Sequence, residues 1–143
     1  MSEVHLITGL ALIAANLAAG LWGAIAWYQR RPSVGFWYAL RAAQALVVLQ
    51  VMLGGVLVFG DREAVALHYV YGLLPLFVSF LAELIRAGAA QQELGELNFQ
   101  SLPEGRQQTV AMAIVRREMG IMAVACLVIV FLALRAAGTS TAF

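Results

Sequence analysis

Residues 36–59, FWYALRAAQALVVLQVMLGGVLVF, run for 24 positions with Arg41 as the one ionised side chain. A bilayer core of roughly 30 Å needs about 20 helical residues to cross it, so this stretch reads as a membrane span. Gly60-Asp61-Arg62-Glu63 follows as a tight polar turn, and a connection that short makes its two flanking helices antiparallel neighbours. Beyond it a second apolar run covers 66–85, and upstream a third covers 6–27, separated by the turn Pro32-Ser33-Val34-Gly35. Ser33 is placed to cap the helix that starts there. A fourth run covers 119–134. The segment 88–105 is rich in Gln and Glu, contains Pro103, and reads as a polar loop after an extension of the third helix. From Glu104 to Arg117 a helix re-forms and leads into the last span. The expected fold is all-α: one integral membrane domain over 1–143, a four-helix bundle running antiparallel, up and down.

Composition agrees. Of 143 residues, 62% are hydrophobic and 12% charged, with mean hydropathy +0.84. Soluble domains carry about a quarter charged residues, so a soluble class is excluded. Net charge is +1, which by itself says nothing about nucleic acid, and no basic stripe is present, so nucleic acid is not an expected partner. A single cysteine, Cys126, excludes an intramolecular disulfide and a thiolate metal cluster. The leader before the first run, Met1 to His5, is acidic and the run is long, so it reads as a permanent helix and not as a signal peptide.

Arginine placement orients the spans. Arg30, Arg31 and Arg41 lie in or near the first connection, and Arg86, Arg106, Arg116 and Arg117 in or near the third; Arg62 and Arg135 alone lie on the opposite side. Seven against two puts both termini on the outer side. Trp27, Tyr28, Trp37 and Tyr38 then form an aromatic belt at the inner face.

Helices in lipid approach closely through small residues. Ala14, Ala15, Ala18, Ala19, Gly20 and Gly23 supply them on the first helix, Gly54 and Gly55 on the second. Polar side chains within spans face the bundle interior, and Asn16, Gln44, Gln50, Ser79 and Glu83 are the candidates. Glu83 is expected to pair with Arg86. Pro75 lies two turns below His68 and is expected to kink the third helix.

The chain has two histidines in matching frames, His5-Leu6-Ile7-Thr8-Gly9-Leu10 and His68-Tyr69-Val70-Tyr71-Gly72-Leu73. Histidine is the commonest metal ligand. Both head co-directional helices at one membrane face, and Gly9 and Gly72 at i+4 clear the same helix face for a flat macrocycle. The pair is therefore expected to ligate the iron of a heme, b-type by preference. Arg62 and Arg135 sit where outward-facing propionates need partners.

The run Leu49-Gln50-Val51-Met52-Leu53-Gly54-Gly55, a short outer turn and then Leu67-His68 resembles one half of the heme A synthase family. The motif likeness covers 46–76, with His5 to Gly9 matching by position. The resemblance implies a four-helix bundle with two ligand histidines on alternate helices, with Gln50 and Gly54 beside the cofactor, in a bacterial-type cytoplasmic membrane. The synthase carries a catalytic glutamate three residues before a ligand histidine; here those positions hold Ser2 and Val65. Its paired outer-loop cysteines are absent and only one half is present. What it implies is a heme-holding bundle without the oxygenating chemistry.

The leading reading is a b-type cytochrome-like protein that passes electrons to an outer-side carrier or a quinol. Glycine- and alanine-rich faces fit a homodimer. The competing readings are a cofactor-free accessory subunit of a larger membrane complex and a heme carrier or chaperone.

Overall fold

The computed structural model describes residues 2–60, 64–95 and 98–139. These form α1 (Ser2–Tyr28), α2 (Val34–Phe59), α3 (Ala66–Leu94) and α4 (Glu104–Gly138), with a short 3-10 turn at Phe99–Ser101. All four helices are long and apolar enough to cross a membrane. At 35 residues α4 is about 50 Å long, more than a bilayer core, so its first turns extend past the apolar layer.

Local chemistry sets the helix ends. Ser33 caps α2 as expected, accepting a hydrogen bond from the Phe36 amide at 3.2 Å. The Gly60 amide closes the same helix, donating to Val56 and Leu57 carbonyls. At the end of α1 the Arg31 amide reaches the Ala26 carbonyl and the Arg30 amide reaches Trp27, a Schellman closure. That closure needs a left-handed residue, usually glycine, and here it is Arg30 with φ 56°. An L side chain in that region costs about 1–2 kcal/mol.

Two expectations are corrected. The polar loop was placed at 88–105, yet α3 continues to Leu94, while α4 begins at Glu104 as expected. Ala89, Ala90, Gln91, Gln92 and Glu93 are good helix formers, and Ala89 is buried. The short turn after α2 also does not make α2 and α3 close neighbours. α3 packs chiefly on α4, α4 also on α1, and α1 on α2, while the α2–α3 contact is sparse. Apolar side chains gain nothing by leaving lipid for one another, so small residues and polar pairs choose the neighbours rather than loop length. Helix α3 runs through Pro75, which is buried.

The core follows those small residues. Ala19, Phe36, Leu40, Ala43, Met119, Met122 and Cys126 form its main cluster; Leu12, Val47 and Ile129 form a second one further along. Spacing of three and four along α2 and α4 puts these on one face. A Cβ at Gly23 would collide with Phe36 and lie 3.0 Å from Ala123, and one at Gly20 would lie 2.8 Å from Leu127. Ala14 and Ala18, expected in the packing, face outward instead. Asn16 is fully buried and is satisfied by its own helix, its Nδ2 donating to the Leu12 carbonyl at 2.9 Å. Large apolar side chains such as Leu21, Phe59, Phe77, Phe80 and Phe131 are exposed around the outside, as a lipid-facing surface requires.

Candidate functional site

His5 lies in the first turns of α1 and His68 in the first turn of α3. Although 63 positions separate them in the sequence, their rings meet, with centroids 6.2 Å apart and planes at 62°. Both are half-buried. The Nδ1 of His68 is 3.0 Å from the Ala136 carbonyl oxygen in the last turns of α4. A carbonyl only accepts, so Nδ1 carries the proton and the lone pair of His68 sits on Nε2. The Ala136 carbonyl also accepts from the Thr139 amide and hydroxyl, and it stands at the negative end of the helix dipole, which favours an imidazole N–H donor.

Gln50 of α2 secures the other ring. Its Nε2 donates to the His5 carbonyl at 3.0 Å and lies 3.2 Å from His5 Nε2. Its Oε1 accepts from the Thr8 hydroxyl. Nδ1 of His5 is buried without a partner among the described residues. Each ring therefore retains a nitrogen that no described hydrogen bond engages.

The glycines of the two matching frames play different parts. A Cβ at Gly9 would come 3.0 Å from Gln50 Nε2, so this glycine makes room for the amide that holds His5. A Cβ at Gly72 would meet nothing within 4 Å, so that face of α3 is open. Gly54 lets His5 lie against α2, its absent Cβ being 3.3 Å from His5 Cε1. Arg135 is at the same end, with its guanidinium 5.8 Å from the centre of the Tyr71 ring, one turn from His68. Arg62 lies outside the described residues. Thr8 and the Ala136 carbonyl carried no motif in the sequence; the i+3 spacing of Thr8 from His5 was the available signal for the former, and none existed for the latter.

The donor set bears on which metal centre fits. Among the described residues no group of three or more His, Cys, Asp and Glu gathers to hold a metal ion. A structural zinc needs four protein ligands, whereas iron in a porphyrin takes its four equatorial ligands from the macrocycle and leaves two axial places. Two imidazoles suit the second case. Metal–imidazole bonds of about 2 Å on either side of one ion put the ring centroids about 6 Å apart, close to the observed separation. The hydrogen bond from His68 Nδ1 to a backbone carbonyl is also the kind of contact that fixes the ring orientation of ligating histidines.

A second polar cluster lies further along α2 and α3. Glu83 pairs with Arg86 at 2.8 Å, as expected, and also with Arg41 at 2.5 Å; Gln44 donates to it at 2.8 Å. Arg86 extends to Glu118 of α4 at 3.7 Å, and its guanidinium is 5.6 Å from the centre of the Trp37 ring. The sequence offered the Glu83–Arg86 pair through i,i+3 spacing but not its bridge to α2 and α4.

The fold thus defines an all-α class whose four helices are each long and apolar enough to span a membrane, with two histidines in ring contact at one end. Compared with protein-family models, curated proteins and solved structures, the chain shows no match.

Proposed function

We propose that the protein is a membrane b-type cytochrome-like electron carrier, in which His5 and His68 would hold one heme through its iron. The observation that carries this reading is the ring pair itself: 6.2 Å between centroids, with His68 oriented through its Nδ1 by the Ala136 carbonyl. A heme so ligated supplies reversible one-electron chemistry at a potential set by burial and by hydrogen bonds to its ligands. The chain's own residues then have defined tasks. Ala136 fixes the tautomer and plane of His68, Gln50 and Thr8 position His5, Gly72 leaves the adjoining face open, and Arg135 offers a cation beside it.

In this reading the helices run antiparallel. The pairing of Gly9 with Gln50, near the start of α1 and late in α2, and of Gly23 with Phe36, late in α1 and at the start of α2, supports that arrangement. The arginine distribution supports both termini outside, in a bacterial-type cytoplasmic membrane, with the heme near the outer face. An outer-side carrier or a quinol is the redox partner, and a homodimer the assembly. The likeness of 46–76 to half of a heme A synthase supports the cofactor, while Ser2 and Val65 argue against its oxygenating activity.

One contact favours a cofactor-free accessory subunit: the amide of Gln50 lies 3.2 Å from His5 Nε2 and so occupies one of the nitrogens a metal would use. The two readings separate on purified protein from a heme-replete host. A sharp Soret band with split α and β bands after dithionite, lost in His68→Ala, supports the cytochrome. A colourless protein that fails to take up hemin overturns it.

A further inference from the structure

Six of the chain's nine arginines fall into two sets. Arg41 and Arg86 are matched by Glu83 and Glu118, and Arg117 by Glu93. Arg30, Arg31 and Arg116 have no acidic partner within 4 Å among the described residues, and all three line one shallow recess at the surface. Its floor includes Ala26 and Met119, both buried, with Val115 beside them, while the arginine side chains form an exposed rim.

The place in the fold narrows the ligand. Arg30 and Arg31 close the end of α1, and Arg116 stands where the polar first turns of α4 give way to its apolar stretch. Trp27 and Tyr28 are exposed at the same level, where aromatic rings mark the boundary between acyl chains and water. Arg30 occupies the left-handed position that glycine usually fills in such a closure, so a strained backbone carries one of the three cations to the rim. Like charges lining one recess repel, and an anion bound among them relieves that repulsion. Guanidinium forks match phosphate oxygens two at a time, and basic recesses between membrane helices take lipid headgroups.

We propose that Arg30, Arg31 and Arg116 form a binding site for the phosphate of an anionic phospholipid. The site is independent of the histidine pair and of any iron. The apolar floor lies under the headgroup, and the three cations are presented from the end of α1 and from within α4, so that the bound lipid ties the end of α1 to α4.

The test is native mass spectrometry of the full-length protein in detergent, titrated with phosphatidylglycerol or phosphatidylcholine. One tight phosphatidylglycerol per chain is expected, with phosphatidylcholine at least tenfold weaker. Each arginine near a charged surface accounts for about a fivefold change in affinity, so R31Q/R116Q together should weaken phosphatidylglycerol by more than tenfold. R30G removes a cation while relaxing the backbone, so it keeps the fold and still loses about fivefold. R117Q, whose arginine is paired with Glu93, should change binding less than twofold. Equal affinity for the two lipids, or unchanged binding in R31Q/R116Q, overturns the site. Displacement of the lipid by millimolar inorganic phosphate overturns its assignment to a lipid and leaves a free-anion site.

Discussion

The His68 ring and the Ala136 carbonyl, 3.0 Å apart, join the beginning of α3 to the end of α4. That hydrogen bond orients the imidazole from the side opposite its free nitrogen and anchors it to a backbone carbonyl at the negative end of the α4 dipole. His5, by contrast, is held through a side chain, the amide of Gln50. One histidine is thus fixed by backbone and the other by a replaceable group, and the two should respond differently to mutation.

Gln50→Leu keeps the side-chain size but removes the donor to the His5 carbonyl and the acceptor for Thr8. Each hydrogen bond is worth about 1 kcal/mol, so a loss of about 1–2 kcal/mol is expected in reversible unfolding in detergent. If heme is bound, the same substitution should shift its midpoint potential while leaving both histidines as ligands. A stability change under about 0.3 kcal/mol would mean that the amide does not secure α1 to α2.

The glycines give a contrast. Gly23→Ala places a methyl against Phe36, which is fully buried and has nowhere to retreat, and should destabilise by about 1–3 kcal/mol. Gly72→Ala meets nothing within 4 Å and should stabilise the helix by up to about 1 kcal/mol. Thermal melts of the two variants check the pair. In heme-loaded protein Gly72→Leu should lower heme retention, because the open face would be filled.

Glu83 is the hub between α2, α3 and α4, with about a quarter of its side chain exposed (27%). Removing one partner of a fully buried pair costs about 3–5 kcal/mol; at this exposure Glu83→Gln should cost about 1–2 kcal/mol. A double-mutant cycle of Glu83→Gln with Arg41→Gln measures the α2–α3 coupling. Strict additivity would show that the bridge contributes nothing.

Arg30→Gly should raise stability by about 1 kcal/mol, since glycine adopts the left-handed C′ conformation without strain. The melting temperature of the variant, measured without added lipid, checks the sign. A fall would show that the arginine side chain stabilises the helix end by itself.

Four apolar stretches, the Ser33 cap, the helix resuming at Glu104 and the pairing of Glu83 with Arg86 were all legible in the chain, because each depends on neighbours within a turn or two. Length and hydropathy alone defined four helices able to cross a membrane, and the repeated His-x-x-x-Gly frame singled out His5 and His68. That the frame hides two different environments was not legible. Gly9 yields to Gln50 and Gly72 to open space, and the difference arises from which helix lies opposite.

Which helices become neighbours was likewise decided only in three dimensions. A short α2–α3 turn implied neighbouring helices, and the two do touch, yet α3 sits chiefly on α4. Sequence fixes a helix through hydrogen bonds four residues apart and fixes a span through apolar length. Contacts such as His5 with His68, His68 with Ala136 and Arg41 with Glu83 depend on helix rotation and on where small residues let backbones approach, and these follow from the packing of all four helices together.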